Sequence, residues 1–313
     1  MNLINARFIV KDAFVETMEE QGIKPHNPLN IEADGKIKRF RVQGDKSGTK
    51  NGWYVLFDDG LLAGSFGNWK TGFTCNWCSK NKNKLSKREE YNLKLQRKRA
   101  SQIRDKQHYL NQQQTAVKCG NLWESAIPVL ESKHPYLLSK QISPYGIRSL
   151  NESLLIPLQN TQNQLVNIQF IMPDGRKVFK TGGRVKGCFN VIGELKGDVF
   201  ICEGYATGST IHQATGKSVI VALNAGNLDH VIFSIKTAFD LKITIAADND
   251  HQKPVNTGLD KGFACANKYN LTLIYPKFSK DQIGSDFNDL MKLVGYQVLS
   301  TYFNAAREEV INE

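Results

Sequence analysis

The last third of the chain alternates short apolar runs with helix-like segments, and this alternation restricts the fold more than any other feature. The apolar runs DVFIC, KSVIVAL, LKITIA and LTLIY are separated by YATGSTIHQATG, DHVIFSIKTAFD and GLDKGFACANKYN. Strands that alternate with helices form a parallel sheet with helices on its faces. Residues 196–313 are therefore predicted to form an α/β domain, in which ligands bind at the carboxyl ends of the strands.

Acidic residues gather at those predicted strand ends. The third run ends in Asp248 and Asp250, and Glu203 follows the first run. Asp286 and Asp289 come after the fourth run. One such acid alone is typical of a solvated turn or a helix cap, but several like charges at one sheet edge favour a divalent metal site. Ligands that are all oxygen atoms indicate Mg²⁺ or Mn²⁺ and disfavour zinc.

The net charge of +11 is concentrated in one segment. Residues 81–118 carry eight more Lys and Arg than Asp and Glu, whereas residues 196–313 carry two more acids than bases. Residues 81–118 also contain no Pro or Gly and many helix formers, which predicts an exposed helical linker. A basic segment beside an acidic, metal-capable domain suits a polyanion such as nucleic acid. A solvated linker without a ligand is the alternative.

The N-terminal part is predicted to be a small β-rich domain at 1–80. KIKRFRVQ, GWYVLFDD and LLAGSFG are the predicted strands, and Asp59-Gly60 between the last two predicts a hairpin turn. Aromatic and basic residues are interleaved here, as on sheets that bind single-stranded nucleic acid. The alternative is that the aromatic residues are the core of the domain. The residues concerned are Lys38, Arg39, Arg41, Trp53, Tyr54 and Trp69.

The six cysteines form no dense pattern, which favours a reducing cytoplasm over a disulfide-rich protein. Cys75 and Cys78 form a CxxC pair, but no second pair follows at zinc-finger spacing, so a zinc site is not expected. No run approaches the ~18 apolar residues that cross a membrane, and the N-terminus lacks the apolar segment of a signal peptide. A membrane is therefore not an expected partner.

Residues 119–195 are predicted to form a mixed α+β segment. HPYLLSKQI predicts a short helix, LLIPLQ and QLVNIQFIM predict strands, and a glycine-rich loop follows. The loop KTGGRVKG combines three glycines with the cations Lys180, Arg184 and Lys186, which suits a phosphate group that approaches the backbone closely. An ordinary charged hairpin loop has the same composition and is the alternative.

Taken together, these motifs resemble the Toprim domain, the metal-binding fold of bacterial-type primases and topoisomerases. Glu203-Gly204 and the DND motif at 248–250, with the alternating pattern between them, carry the resemblance. ICEGYATGSTIHQATG, VIVALNAGNL, IAADND and GSDFNDL are similar to the Toprim segments of plasmid- and phage-encoded primases. HPYLLSKQI and the strands after it resemble the segment that precedes Toprim in a primase polymerase core. Residues 35–72 are similar to a small N-terminal domain of such proteins.

The resemblance implies roles for individual residues. Glu203 would act as the catalytic acid or base and contribute to the metal site, and Asp248 and Asp250 would hold the metal. Gly226 and Asn227 would lie in a turn that faces the nucleotide. The residues expected to complete the metal site are Asp286 and Asp289, and those expected to contact nucleotide or DNA are Lys180, Arg184, Lys186, Lys38, Arg39 and Arg41.

The resemblance also implies an activity and a domain order. The chain would be a DNA primase that makes short primers on single-stranded DNA from NTPs, for the replication of a mobile element. A Toprim nuclease and a non-catalytic origin-binding or single-strand-binding protein are the alternatives. The family's helicase is not recognised here, so a separate replicative helicase or initiator is an expected partner. The parts would be 1–80, the linker 81–118, the first part of the polymerase core at 119–195 and the Toprim catalytic domain at 196–313.

Overall fold

The chain forms two compact units, residues 1–110 and residues 111–313. The computed structural model describes residues 3–59, 61–80, 85–279 and 281–311.

The first unit is a four-stranded antiparallel sheet with a helix on each face. The strands lie in sequence order, and each pairs with the next one along the chain. The predicted turn at Asp59-Gly60 joins the second and third strands, although Gly60 itself lies outside the described residues. The elements are α1 (Leu3–Glu20), β1 (Lys38–Phe40), β2 (Gly52–Asp58), β3 (Leu62–Asn68), β4 (Phe73–Cys78) and the first part of α2 (Lys87–Ser125).

The aromatic residues of this sheet form its core. Successive residues of a strand face opposite sides. Tyr54 accordingly packs against Phe14 of α1, with ring centroids 5.8 Å apart, whereas Trp53 and Val55 pack with Ala100 of α2. Trp53 and Tyr54 are 1% and 3% exposed. The interpretation that these two rings stack on bases is therefore wrong, because both are enclosed between the sheet and a helix.

Strand β4, which the sequence pattern does not predict, contains both cysteines of the CxxC pair. Cys75 packs on the same core face as Phe73 and Trp77. Cys78 lies three residues further along the strand, so its side chain points to the opposite face. Two thiols on opposite faces of a strand cannot bind the same ion, and this geometry disfavours zinc at the pair.

Helix α2 is longer than the predicted linker at 81–118. It begins after Ser86, whose hydroxyl accepts a hydrogen bond from Glu89 N at 3.3 Å while the Glu89 carboxylate accepts one from Ser86 N at 2.8 Å. Such a capping box fixes the start of a helix. No proline occurs between Ser86 and Pro128, and the helix continues past the predicted limit at 118. Residues 81–84 of the predicted linker lie outside the described residues.

The second unit contains two five-stranded sheets that share a hydrophobic core. One is antiparallel, in the order β5-β6-β7-β8-β9. The other has the order β10-β12-β11-β13-β14. The strands are β5 (Ile127–Pro128), β6 (Arg148–Leu150), β7 (Ser153–Gln159), β8 (Leu165–Ile171), β9 (Lys177–Phe179), β10 (Asn190–Ile192), β11 (Asp198–Cys202), β12 (Ser218–Val221), β13 (Lys242–Ala246) and β14 (Thr272–Ile274).

The second sheet confirms the predicted α/β class. Its strands β11 to β14 pair in parallel, as expected for 196–313. Strand β10 comes from the preceding segment and adds an antiparallel edge that was not expected. Phe200 packs toward α7, 5.4 Å from the Phe303 ring, and the next residue, Ile201, packs on the opposite face with Val231 of α5. The helices are α3 (Pro135–Lys140), α4 (Tyr205–Thr215), α5 (Leu228–Ala238), α6 (Thr257–Tyr269) and α7 (Phe287–Ile311).

Helices thus cover both faces of the parallel sheet, with α4 and α7 on one face and α5 and α6 on the other. This arrangement leaves the carboxyl edge of the sheet as the place where loops from neighbouring strands meet. None of the described helices is both long enough and apolar enough to cross a bilayer.

Candidate active site

Glu203 and Asp248 lie next to each other at the carboxyl edge of the parallel sheet. Strands β11 and β13 are adjacent and parallel, with Ile201 opposite Ile245. Glu203 directly follows β11, and Asp248 lies two residues beyond β13. A β-carbon added to Gly258, in the first turn of α6, would lie 3.0 Å from Asp248 Cβ and 3.2 Å from Glu203 Oε1. Both side chains therefore border the same small volume.

Two asparagines, and not the acids, hold the turn that follows β13. Asn249 donates from Nδ2 to the Pro276 carbonyl at 2.8 Å and accepts at Oδ1 from Asn256 at 2.8 Å. Asn256 Oδ1 accepts from Asp250 N at 2.9 Å and also caps α6. The amide in the middle of the DND motif is therefore structural, and none of these hydrogen bonds uses a carboxylate.

The two adjacent acids are half-buried, and their charges repel each other. Glu203 Oε1 and Asp248 Oδ1 are both buried without a hydrogen-bond partner. Burial, assisted by the charge of Asp250, raises the pKa of Glu203 to about 7. Burial and the neighbouring carboxylates, Glu203 first, raise the pKa of Asp248 well above its usual value. A bound cation would relieve both effects, because positive charge favours the ionised forms.

The other three predicted acids have contacts of their own. Asp250 forms an ion pair with Lys253, with Nζ 3.0 Å from Oδ1. Asp286 Oδ1 accepts from Asp289 N at 2.8 Å and caps the start of α7. Asp289 Oδ2 accepts from a backbone N–H of the preceding loop at 3.1 Å. Asp286 still acts on the site, since its charge helps to raise the pKa of Asp248. We call Glu203, Asp248, Asp250 and Asp286 the acid cluster.

Lys177 is a cation of strand β9 that the fold brings to the acid cluster. Its Nζ lies 5.7 Å from the centroid of the Tyr136 ring and 3.9 Å from where a β-carbon of Gly204 would be. Much of the side chain is accessible to solvent, but its charged end lies in enclosed surroundings. Burial and then Lys140 lower the pKa of Lys177, and attraction to the acid cluster opposes this effect. The sequence does not distinguish Lys177 from the basic residues near it, so only the structure identifies it as a neighbour of the acid cluster.

Two further groups border the cluster on the same side. Lys140 Nζ lies 3.9 Å from Asp289 Oδ1. The Tyr136 hydroxyl is buried without a hydrogen-bond partner, and burial followed by the charge of Asp286 raises its pKa. Cations and a donor hydroxyl beside carboxylates suit a ligand that carries negative charge and arrives with a metal ion.

The acid cluster fits a divalent cation that also binds phosphate oxygens. No three His, Cys, Asp or Glu side chains within the described ranges are arranged to hold an ion unaided. Mg²⁺ is typically held by one or two carboxylates together with waters and substrate phosphates. The unpartnered oxygens of Glu203 and Asp248 meet that need, and oxygen ligands match the expectation of Mg²⁺ or Mn²⁺.

The predicted phosphate-binding loop packs closely on its own chain. A β-carbon on Gly183 would overlap the Asn167 side chain, and one on Gly187 would lie 2.8 Å from Ser234 Oγ. Gly187 also has φ +70°, a conformation that favours glycine. These two glycines therefore let the loop pack on its own chain, and a close approach of a phosphate to the loop backbone stays a prediction.

Asn227 attaches this loop to the parallel sheet. Its Oδ1 accepts from a backbone N–H of the loop at 2.9 Å, and its Nδ2 donates to two backbone carbonyls, each at 2.9 Å. The side chain therefore positions the loop, and a nucleotide contact from this turn stays a prediction that rests on Gly226 and the backbone. The loop cations Arg184 and Lys186 are exposed and Lys180 is half-buried, and none of their described contacts reaches the acid cluster.

The basic residues of the first unit that were predicted to bind nucleic acid are engaged by their own chain. Lys38 forms ion pairs with two acids of the preceding loop. Arg39 and Arg41 each donate two hydrogen bonds to one backbone carbonyl of the following loop, at 2.7 to 3.1 Å. These contacts fix loops of the first unit, and DNA binding by the three residues stays a prediction.

The chain is similar to a known domain family and to known primases. The Toprim domain family model matches residues 198–297. Two curated relatives, both DNA primase TraC of Escherichia coli, are 30% identical over 263 residues and 29% identical over 288 residues. The solved structure of the DnaG primase catalytic domain bound to ssDNA is similar over 64% of this chain and 80% of that chain, with a TM-score of 0.43 and 13% identity.

The two curated matches cover most of this chain, 80% and 86%, but only 24% and 20% of the relatives. The chain therefore spans a quarter or less of the length of the curated relatives it matches. The Toprim match and these relatives confirm the resemblance to Toprim-domain primases.

Proposed function

We propose that this chain is a DNA primase, which joins nucleoside triphosphates into short primers on a single-stranded DNA template. The observation that carries the proposal is the position of the unpartnered acids Glu203 and Asp248 beside the cation Lys177, at one edge of the parallel sheet. A metal-dependent nucleotidyl transferase needs acids for the ion and a cation for the triphosphate in the same place. Similarity over most of this chain to two proteins named DNA primase supports the same activity.

The acid cluster would bind the ion and move a proton. Glu203, Asp248 and, once released from Lys253, Asp250 would hold Mg²⁺ or Mn²⁺. When bound, the ion stabilises negative charge on the attacking and leaving oxygens. The unpartnered Oε1 of Glu203 would accept the proton of an attacking 3′-hydroxyl, because a general base needs a free oxygen within hydrogen-bond reach of the proton that it takes.

The basic residues would hold the phosphates. A triphosphate is repelled by carboxylates, so it needs positive charge where it enters. Lys177 and Lys140 supply this charge at the border of the acid cluster. Lys180, Arg184 and Lys186 extend it along the adjoining loop, where they would contact the triphosphate or the template.

The test supplies labelled NTPs, a single-stranded template and Mg²⁺ or Mn²⁺. The wild-type chain is expected to make short oligomers only when template and metal are both present. Lys177→Gln should raise the KM for NTPs about tenfold or more, because an ionic contact with phosphate is lost. Lys196→Gln, which removes an exposed lysine of the same unit, is the matched control. Template-independent product, or full activity of Glu203→Gln, would overturn the proposal.

A nuclease that uses the same acids is the second candidate, because hydrolysis of a phosphodiester also needs a metal-binding carboxylate cluster. A nuclease needs no triphosphate site, so Lys177 beside the acid cluster favours the primase. We expect a labelled single strand to stay uncut in Mg²⁺ without NTPs. Cleavage that is lost in Asp250→Asn would assign a nuclease, and DNA binding without any product would assign a non-catalytic accessory protein.

The proposal extends to partners and domain roles. A separate replicative helicase or initiator would open the duplex, and the reaction would serve the replication of a mobile element in the cytoplasm. Residues 119–195 and 196–313 would form the polymerase core and its Toprim catalytic part. Residues 81–118 would connect them to the small domain at 1–80.

A further inference from the structure

Helix α2 presents an exposed row of residues that the proposed catalytic site does not use. On its inner side, Leu93, Gln96 and Ala100 are buried in the first unit. On the opposite side, seven exposed positions are spaced three or four residues apart, and this spacing places them on one line along a helix. They are Lys87, Tyr91, Lys94, Lys98, Gln102, Asp105 and Tyr109, which we call the α2 stripe.

The α2 stripe exposes two aromatic rings. Tyr91 and Tyr109 are 68% and 58% exposed. Tyr91 follows Lys87 by four residues and precedes Lys94 by three, so its ring has a lysine on each side along the helix. Aromatic rings between lysines are the combination that nucleic-acid strands use, with a base stacked on the ring and phosphates on the cations.

The lysines of the α2 stripe are not neutralised by the chain itself. Residues 87–110 contain eight Lys and Arg but three Asp and Glu. Within the part of the chain that the structure describes, the stripe lysines form no salt bridge, whereas Arg99 and Arg104 on the flanks do. Asp105, the acid of the stripe, lies 3.0 Å from Arg104 and is neutralised by it. A polyanion is therefore attracted to the part of the stripe from Lys87 to Lys98.

We propose that the α2 stripe binds single-stranded DNA, with its lysines on successive phosphates and a base stacked on Tyr91. The exposed ring selects a single strand, because bases inside a duplex cannot stack on a side chain. Lys87 to Lys98 span about 16 Å of helix, which is long enough to follow several phosphates. The inference rests on the proposed function only where it identifies the bound strand as the template. The α2 stripe would bind that strand whatever its base sequence.

The test measures binding of a fluorescent oligothymidylate to the intact chain over a series of salt concentrations, without NTPs or metal. The triple variant Lys87→Gln/Lys94→Gln/Lys98→Gln should lower the slope of log affinity against log salt by about 2, at ~0.7 per phosphate contact. The triple variant Lys24→Gln/Lys36→Gln/Lys46→Gln removes the same charge from exposed lysines of the same unit and should leave the slope unchanged.

The aromatic part of the proposal has its own variants. Tyr91→Ala should weaken binding about tenfold, the loss expected for one base stacked on an aromatic ring. Tyr91→Phe should bind as the wild type does, because stacking needs the ring and not the hydroxyl. Equal slopes for the two triple variants, or unchanged binding by Tyr91→Ala, would overturn the proposal. These experiments measure DNA binding and not primer synthesis. DNA binding by the α2 stripe can therefore be confirmed in a chain that makes no primers, and it can be refuted in a chain that does.

Discussion

Replacing Glu203 by glutamine should make the metal-free protein more stable at pH 8, even though it removes a proposed catalytic group. Burial and the charge of Asp250 raise the pKa of Glu203 from its usual 4.5 to about 7. The folded state therefore holds this proton more tightly than the unfolded state does. Stability then falls as the pH rises between these two values, because the unfolded state ionises at a lower pH. Glutamine has nearly the same shape and no charge, so it avoids this loss.

The size of the effect follows from the two pKa values. A rise from 4.5 to about 7 corresponds to roughly 3 kcal/mol at most, since one pKa unit is worth about 1.36 kcal/mol. Glu203 is only partly buried, so solvent screening reduces the figure to about 1 to 3 kcal/mol. A domain of this size changes its Tm by about 2 to 4 °C per kcal/mol. We therefore expect a gain of about 2 to 12 °C at pH 8 and almost none near pH 4.5.

Thermal melts in EDTA between pH 4.5 and 8.5 measure this difference. The control is Glu131→Gln, which removes a glutamate whose side chain is 66% exposed in the same unit. Adding Mg²⁺ at pH 8 should raise the Tm of the wild type more than that of Glu203→Gln, because the ion relieves the same repulsion. A variant no more stable than the wild type at pH 8, or a gain independent of pH, would refute the reasoning.

Three further predictions concern substitutions of single residues. Asp248→Asn should lower primer synthesis at least ~100-fold. Its affinity for oligothymidylate, measured by fluorescence anisotropy, should stay within a factor of two of the wild type. A fully active variant would contradict the assignment of Asp248 to the metal site. Asn227→Ala should leave three backbone groups unpaired and destabilise the protein by about 1 to 3 kcal/mol in urea unfolding. Gly258→Ala should displace the acid pair and weaken Mg²⁺ binding in calorimetry, whereas Gly120→Ala, at an open helical position, should not.

The position of Glu203 and Asp248 at one edge of the sheet could be predicted, because it depends only on strand direction. Parallel strands end at the same edge of their sheet, so acids that follow them lie at that edge, whereas the strand order that makes two of them neighbours comes from the structure. The apolar runs before both residues form β11 and β13, which the structure pairs directly. The sequence could not predict which group hydrogen-bonds to each carboxylate oxygen. It therefore could not predict which carboxylate oxygens lack a hydrogen-bond partner.

The special position of Lys177 could not be predicted from the sequence. It lies in β9 of the antiparallel sheet, and its distance from the acid cluster depends on how two sheets share one core. Lys180, Arg184 and Lys186 have the same charge and lie in the same segment. Composition and spacing treat these four cations alike, and only tertiary packing distinguishes them.

The buried aromatic residues of the first unit, by contrast, had a usable signal. WYVLF in β2 is a continuous apolar run and not an alternation of apolar and polar residues. Such a run indicates a strand that is covered on both faces. Trp53 and Tyr54 belong to this run, so the pattern favoured the core interpretation before the helices on either face were known.

In the turn at 248–250, the residues that make the hydrogen bonds differ from the residue that is proposed to bind the ion. Asn249 and Asn256 make the hydrogen bonds that fix the turn, while Asp248 keeps a buried oxygen without a partner. Because none of these hydrogen bonds uses the Asp248 carboxylate, that group can lose its proton or bind an ion without breaking them. Asn249→Ala should therefore reduce stability, since buried polar groups lose their partners. Asp248→Asn should instead leave stability unchanged or higher, and a large loss of stability in that variant would show that the carboxylate supports the turn after all.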